Sequence, residues 1–149
     1  MTTITLALLD DIPQLCTLLE ILFSQEADFQ PDAVKQSTAL HEIIEHPETG
    51  CILVLREGKN IFGMVNLLYT ISTACGGKVA ILEDLIVHPL QCSNGLGSKL
   101  LQAAIVHARR EGCMRITLLT DRNNDLAIRF YQRQGFKISS MIPLRLTIK

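Results

Sequence analysis

Apolar positions along this chain switch period from two to about 3.6 and back several times, which predicts strands alternating with helices. Residues 4–8 form a short apolar run, read as a first strand. Asp11 stands as the N-cap of a helix with Pro13 in its first turn and Ile12, Leu15, Leu19 and Leu22 on one stripe. Pro31 and Asp32 open a second helix that ends near His46-Pro47. Residues 51–56 and 61–71 are apolar and rich in strand formers around Glu57-Gly58-Lys59-Asn60, a hairpin signal. Residues 74–77 turn the chain into a third hairpin strand, 78–87. A helix from Gly95 to Glu111 stops at Gly112, a glycine just past a helix end. Residues 115–120 follow as a strand, 125–134 as a helix ended by Gly135, and Phe136 onward as a closing pair of strands. No repeat, linker or low-complexity segment interrupts this order. The expected fold is α/β: one domain over residues 1–149 with a central mixed, largely antiparallel sheet flanked by helices on both faces.

The segment from Leu85 to Leu101 carries the strongest functional signal. A strand ending Leu-Ile-Val-His is broken by Pro89 and re-enters as a helix after Gly95-Leu96-Gly97. Glycines there allow a tight turn and close approach of a ligand to unpaired N–H groups at the positive end of the helix dipole. That is an anion site, and phosphate is the usual anion. The P-loop pattern is not met by Gly95-Leu96-Gly97-Ser98-Lys99. Leu100 stands where a dinucleotide fingerprint needs a small residue.

A second block, residues 123–136, reads Asn-Asn-Asp-Leu-Ala-Ile-Arg-Phe-Tyr-Gln-Arg-Gln-Gly-Phe. Together the Val87-x-Pro89 strand end, the Gly95-x-Gly97 turn, Asn124-x-x-Ala127-x-x-Phe130-Tyr131 and Gly135-Phe136 resemble the GNAT superfamily of N-acetyltransferases. The resemblance covers the C-terminal half, from about residue 81 to 136, and rests on the order and spacing of both blocks. It implies a GNAT-like fold, acetyl-CoA as co-substrate and transfer of its acetyl group to a primary amine. One position departs from the family pattern. Arg or Gln usually stands three residues before the first glycine; here that position is Cys92, followed by Ser93, with Gln91 one place early.

Composition narrows the reading further. At 149 residues and 48% apolar content the chain can bury a single sizeable core, and a net charge of −1 argues against disorder. Near-neutrality also argues against a nucleic-acid partner, which calls for a basic stripe. The N-terminal stretch lacks a basic leader and meets Asp10 and Asp11 early, unlike a signal peptide or a membrane span. Cys16, Cys51, Cys75, Cys92 and Cys113 form no Cys-x-x-Cys pair, which suits reduced thiols in the cytoplasm. His41, His46, His88 and His107 form no ligand cluster with them, so no metal is expected. The charge is split: residues 1–50 hold nine acidic and one basic side chain, −8, and residues 51–149 hold six and thirteen, +7. Such a split is either a bias of solvated faces or a division of labour between a polyanionic cofactor and a cationic acceptor.

Under the resemblance, residues Cys92, Ser93, Asn94, Gly95, Leu96, Gly97 and Ser98 take the pyrophosphate. Backbone groups of Leu85, Ile86 and Val87 pair with the pantetheine arm as a neighbouring strand would, and one N–H there can serve the oxyanion. Asn124 and Ala127 lie against the arm; Asn124 reads equally as an N-cap. Tyr131 matches the family tyrosine near the cofactor sulfur and can protonate a departing thiolate, or is a packing aromatic. Glu83 and Asp84 stand on the strand leading to the cofactor. By strand alternation Glu83 shares a face with Leu85 and Val87, and Asp84 with Ile86 and His88. Glu83 is the candidate base for the amine, directly or through water; the other reading is a structural carboxylate. Tyr69 is the alternative base, while His88 suits a surface role and Cys92 a filler of the loop. The acceptor is a small-molecule or protein amine, and a homodimer is left open. The competing function is a non-catalytic acyl-CoA binding or sensing module on the same scaffold.

Overall fold

The computed structural model describes residues 1–25, 31–91 and 95–149. It divides into two compact units, Met1–Leu119 and Thr120–Lys149. The first unit holds a five-stranded sheet in sequential order: β1 (Thr3–Leu6), β2 (Gly50–Glu57), β3 (Asn60–Ser72), β4 (Gly77–Val87) and β5 (Ile116–Leu118). The first four strands pair antiparallel and β5 joins β4 in parallel. Helices α1 (Ile12–Ser24) and α2 (Ala33–Glu45) precede β2, and α3 (Leu96–Arg110) connects β4 to β5. This is the mixed, largely antiparallel sheet that the period changes predict. No helix among the described residues is long and apolar enough to cross a membrane.

Cross-strand partners share a face, so the register sorts the two cores. Ile52, Val54, Met64 and Ile86 lie on one side and pack with Leu15, Leu18, Leu19 and Leu40 of α1 and α2. Leu53, Leu55, Val65, Leu67 and Leu82 lie on the other. There α3 packs against the strands, with Leu100, Leu101, Ala104 and Ala108 fully buried at helical spacing. Both layers are largely apolar, and this fixes α3 along the sheet, following β4 in the chain.

Local capping follows the sequence with one exception. The Asp32 carboxylate accepts the N–H groups of Val34 and Lys35 and so caps α2 as expected. Asp11 makes no side-chain cap to α1. Its carboxylate instead accepts the Leu8 N–H at 2.8 Å and a two-pronged bond from Arg56 of β2, one arm at 3.2 Å. A buried carboxylate (4% exposed) is stable only when paired, and β2 supplies the partner. Burial pushes its pKa up, but the hydrogen bonds and charge of Arg56 and the Leu8 N–H outweigh that and hold it below the usual value.

The β3–β4 ladder slips by one residue. Asn66 faces Glu83 and Met64 faces Ile86, so Val65 stands opposite two residues, Asp84 and Leu85. This is a β-bulge, and Asp84 takes a left-handed φ of +56°. In the second unit α4 (Asp125–Arg133) is capped by Asn124 and closes at Gly135, φ +102°. The expected closing strands are absent: residues 136–149 form no strand. Ile142, Leu144, Leu146 and Ile148 alternate as strand residues do and are all exposed. Pro143 within that run lacks an N–H for a ladder, and a two-stranded pair alone is marginal.

Candidate active site

Backbone rather than side chains defines the centre of the site. β5 pairs only with Ala80, Ile81 and Leu82, so no described strand continues the ladder beside Glu83, Asp84, Leu85, Ile86 and Val87. A short turn, Pro89–Gln91, then leads towards α3. The N-cap of α3 is Gly95 in left-handed conformation (φ +71°), with no side-chain cap and open space where a Cβ would stand. The Lys99 N–H bonds the Gly95 carbonyl at 3.1 Å, so the N–H groups of Leu96 and Gly97 precede that intrahelical bond. An uncapped helix start after a glycine cradle suits an anionic phosphate, and an open strand edge suits an extended chain of amides. Ser98 sits in the same first turn. Cys92, Ser93 and Asn94 lie outside the described residues.

His88 belongs to the turn. Its Nδ1 accepts the Leu90 N–H at 3.2 Å and its carbonyl accepts the Gln91 N–H at 2.7 Å, which supports the surface role rather than a catalytic one.

The bulge corrects the expected facing of the carboxylates. Strict alternation puts Glu83 with Val87. The register instead puts Glu83 with Ile86 on the α1–α2 face, and Leu82 with Val87 on the α3 face. The extra residue reverses the parity between them. Glu83 is exposed and Asp84 half-buried. Tyr69 pairs with Ala80 and so faces α3, away from Glu83. Burial and the neighbouring Cys51 thiol drive its pKa far above the physiological range, and the Lys78 ammonium sits 4.9 Å from its ring centre. Tyr69 thus belongs to the α3 layer, on the other face of the sheet from Glu83.

Sequence reasoning passed over Asn66. It is 3% exposed, and its Nδ2 donates to Asp84 Oδ2 at 2.6 Å. Its Oδ1 is buried with no hydrogen-bond partner. The available signal was an amide inside the otherwise apolar run Ile61-Phe62-Gly63-Met64-Val65-Asn66-Leu67-Leu68.

In the second unit, Asn124 Oδ1 accepts the Ala127 N–H at 3.1 Å, the cap reading of this residue. The Tyr131 ring lies edge-on to Phe130 and Phe136, at 5.2 and 5.6 Å between centres. These contacts fix the ring orientation of Tyr131 from within its own unit. Elsewhere, a cleft of about 750 Å³ between α1 and α2 is lined by Ile12, Cys16, Glu20 and Val34 among others, and by none of the expected site residues. Among the described residues no His, Cys, Asp and Glu side chains gather in a group able to hold a metal ion.

The family model for the acetyltransferase (GNAT) family matches residues 13–136. An uncharacterized N-acetyltransferase of Bacillus subtilis (strain 168) is 31% identical over 119 residues, covering 78% of this chain and 79% of its own. The aminoalkylphosphonate N-acetyltransferase of Salmonella typhimurium is 29% identical over 130 residues, covering 87% and 81%. Among solved structures, a Clostridium acetobutylicum protein described as a predicted acetyltransferase and crystallised with acetyl-CoA superposes with a TM-score of 0.80. It is 16% identical and covers 99% of this chain and 96% of its own.

Proposed function

Because the chain belongs to the acetyltransferase (GNAT) family, we propose that it moves an acetyl group from acetyl-CoA directly to a primary amine. The enzyme class and the co-substrate follow from the family; the residue roles and the acceptor are our reading. The observation that carries it is the edge of β4 at Leu85, Ile86 and Val87, which no described strand pairs on the β5 side, succeeded along the chain by the glycine-started α3 with no side-chain cap. Bound there, acetyl-CoA supplies an activated thioester. Gly95, Leu96, Gly97 and Ser98 hold its pyrophosphate through backbone N–H groups, with Cys92, Ser93 and Asn94 completing the loop. Leu85, Ile86 and Val87 pair with the amide-bearing arm, and one of their N–H groups donates to the developing oxyanion. Asn124 and Ala127 flank the arm.

Two side chains handle protons. Glu83 accepts the proton of the incoming ammonium, directly or through water, so that the free amine can attack. Tyr131 gives its phenolic proton to the departing thiolate and recovers one from the nitrogen of the nascent amide. The acidic first third of the chain, −8 over residues 1–50, favours a cationic acceptor. The phosphonate acceptor named for the Salmonella relative carries the opposite charge beside its amine, so charge separates the two choices.

The test is thiol release with the purified protein across an alkyl diamine, a lysine peptide, an aminoalkylphosphonate and a matched alcohol. Turnover on cationic amines with none on the alcohol is the expected result. Tight coenzyme A binding with no amine acetylated would instead favour a non-catalytic acyl-CoA sensor on this fold.

A further inference from the structure

Asp84 is the one described residue other than glycine with positive φ, at +56°. Glycine adopts that conformation freely and most side chains do not, so a non-glycine there must be held in place by its surroundings. The hold is visible. Asn66, which faces Glu83 from β3 just beside the bulge, donates from Nδ2 to Asp84 Oδ2 at 2.6 Å. A carboxylate requires a donor, which fixes which end of the amide points to Asp84.

Asn66 is an expensive residue for this place. It is 3% exposed in an apolar strand, and its Oδ1 is buried without a partner. A leucine or methionine would pack the same volume without stranding a polar atom. The cost is understandable only if the Nδ2 bond does something that packing cannot. What it touches is the residue that makes the bulge. The bulge begins at Asp84, two residues past Leu82 where the β4–β5 ladder ends, and it brings Ile86 onto the α1–α2 face beside Glu83.

We propose that Asn66 is a positioning residue: its amide latches Asp84 in left-handed backbone and so keeps the bulge that sets Leu85, Ile86 and Val87 relative to Glu83. The proposal rests on the reading of Glu83 and the β4 edge as the reaction site. Its structural half stands apart from that reading and can be measured separately.

The experiment compares Asn66→Ala, Asp84→Gly and the double variant with the parent, by NMR and by turnover on the best amine found. A positive φ at residue 84 gives a strong intraresidue cross-peak between amide and α protons. In Asn66→Ala that signature should vanish and kcat should fall by roughly 10- to 100-fold, the scale of a misplaced catalytic group. In Asn66→Ala/Asp84→Gly the glycine takes the left-handed conformation unaided, so a positive φ, read there from its stereospecifically assigned α protons, and most of the kcat should return. Should Asn66→Ala fail to fold, Asn66→Leu, which fills the same space and removes only the donor, decides in its place and should lose both the signature and most of the turnover. A left-handed residue 84 persisting in Asn66→Ala would overturn the latch. A glycine that is left-handed yet leaves the enzyme inactive would show that the Asp84 carboxylate acts directly, which also overturns it. If the parent acetylates no amine while the signature behaves as described, the latch stands and the reading of the reaction site fails.

Discussion

Asp11 and Arg56 show how much a single side-chain pair can hold. The pair joins the turn before α1 to β2, with Asp11 almost wholly buried and Arg56 mostly so. Replacing Arg56 by Ala leaves a buried carboxylate without its counter-charge, which should cost about 3 kcal/mol of stability at neutral pH. The folded pKa of Asp11 is depressed, so its contribution is present above the unfolded value and fades as pH falls through the folded one. Urea melts of parent and Arg56→Ala should therefore converge as pH drops below about 4; a gap that widens there would contradict the pairing. Tyr131 has a sharper test. Tyr131→Phe keeps the ring between Phe130 and Phe136 and removes only the hydroxyl. As the acid it should lower kcat about 100-fold with coenzyme A affinity nearly unchanged, where chemistry limits the rate. Equal single-turnover rates would return it to packing.

At the level of elements, the helices and hairpins were legible because their apolar periods are long and their limits are marked by Pro13 at a start and by Gly58, Gly112 and Gly135 at turns and stops. Pairing details were not. The bulge carries no glycine, so the text Leu82-Glu83-Asp84-Leu85 gives no sign that alternation reverses there; the side chain bonded to Asp84 comes from β3, eighteen residues earlier. The run Ile142, Leu144, Leu146, Ile148 shows the converse, since alternation alone does not make a strand without a ladder partner. Likewise Asp11 looks like a cap but is claimed by Arg56, forty-five residues on. For the candidate site, the strand end and glycine turn could be read directly, whereas Asn66 gained its meaning only from the register. The start of α3 offers the test at this scale. Gly97→Val puts a branched side chain in the first turn, where the pyrophosphate should lie against the backbone. Coenzyme A binding by calorimetry should be lost while the circular dichroism melt stays close to the parent. Unchanged affinity in the folded variant would place the anion elsewhere.

Across the whole chain, charge and site chemistry make a joint prediction. With −8 in residues 1–50 against +7 in the remainder, kcat/KM for a cationic amine should fall as salt rises. Glu83→Gln should reduce turnover most near neutral pH and least at high pH, where free amine is abundant. A pH and salt series on one amine measures both. Preference for an anionic acceptor, or a Glu83→Gln enzyme fully active at pH 7, would remove the base and leave the charge split as surface bias.

The bare edge of β4 has a colloidal consequence. Most proteins keep unpaired strand edges short, charged or covered, because an open row of N–H and C=O groups is a template for another chain. Here Leu85, Ile86 and Val87 have no partner strand on the β5 side among the described residues, inside the sheet rather than at its rim. A ligand that fills it does for solubility what a missing strand would have done. Protein purified without coenzyme A should then scatter more light on standing at moderate temperature, and saturating coenzyme A should slow that growth well below the melting temperature.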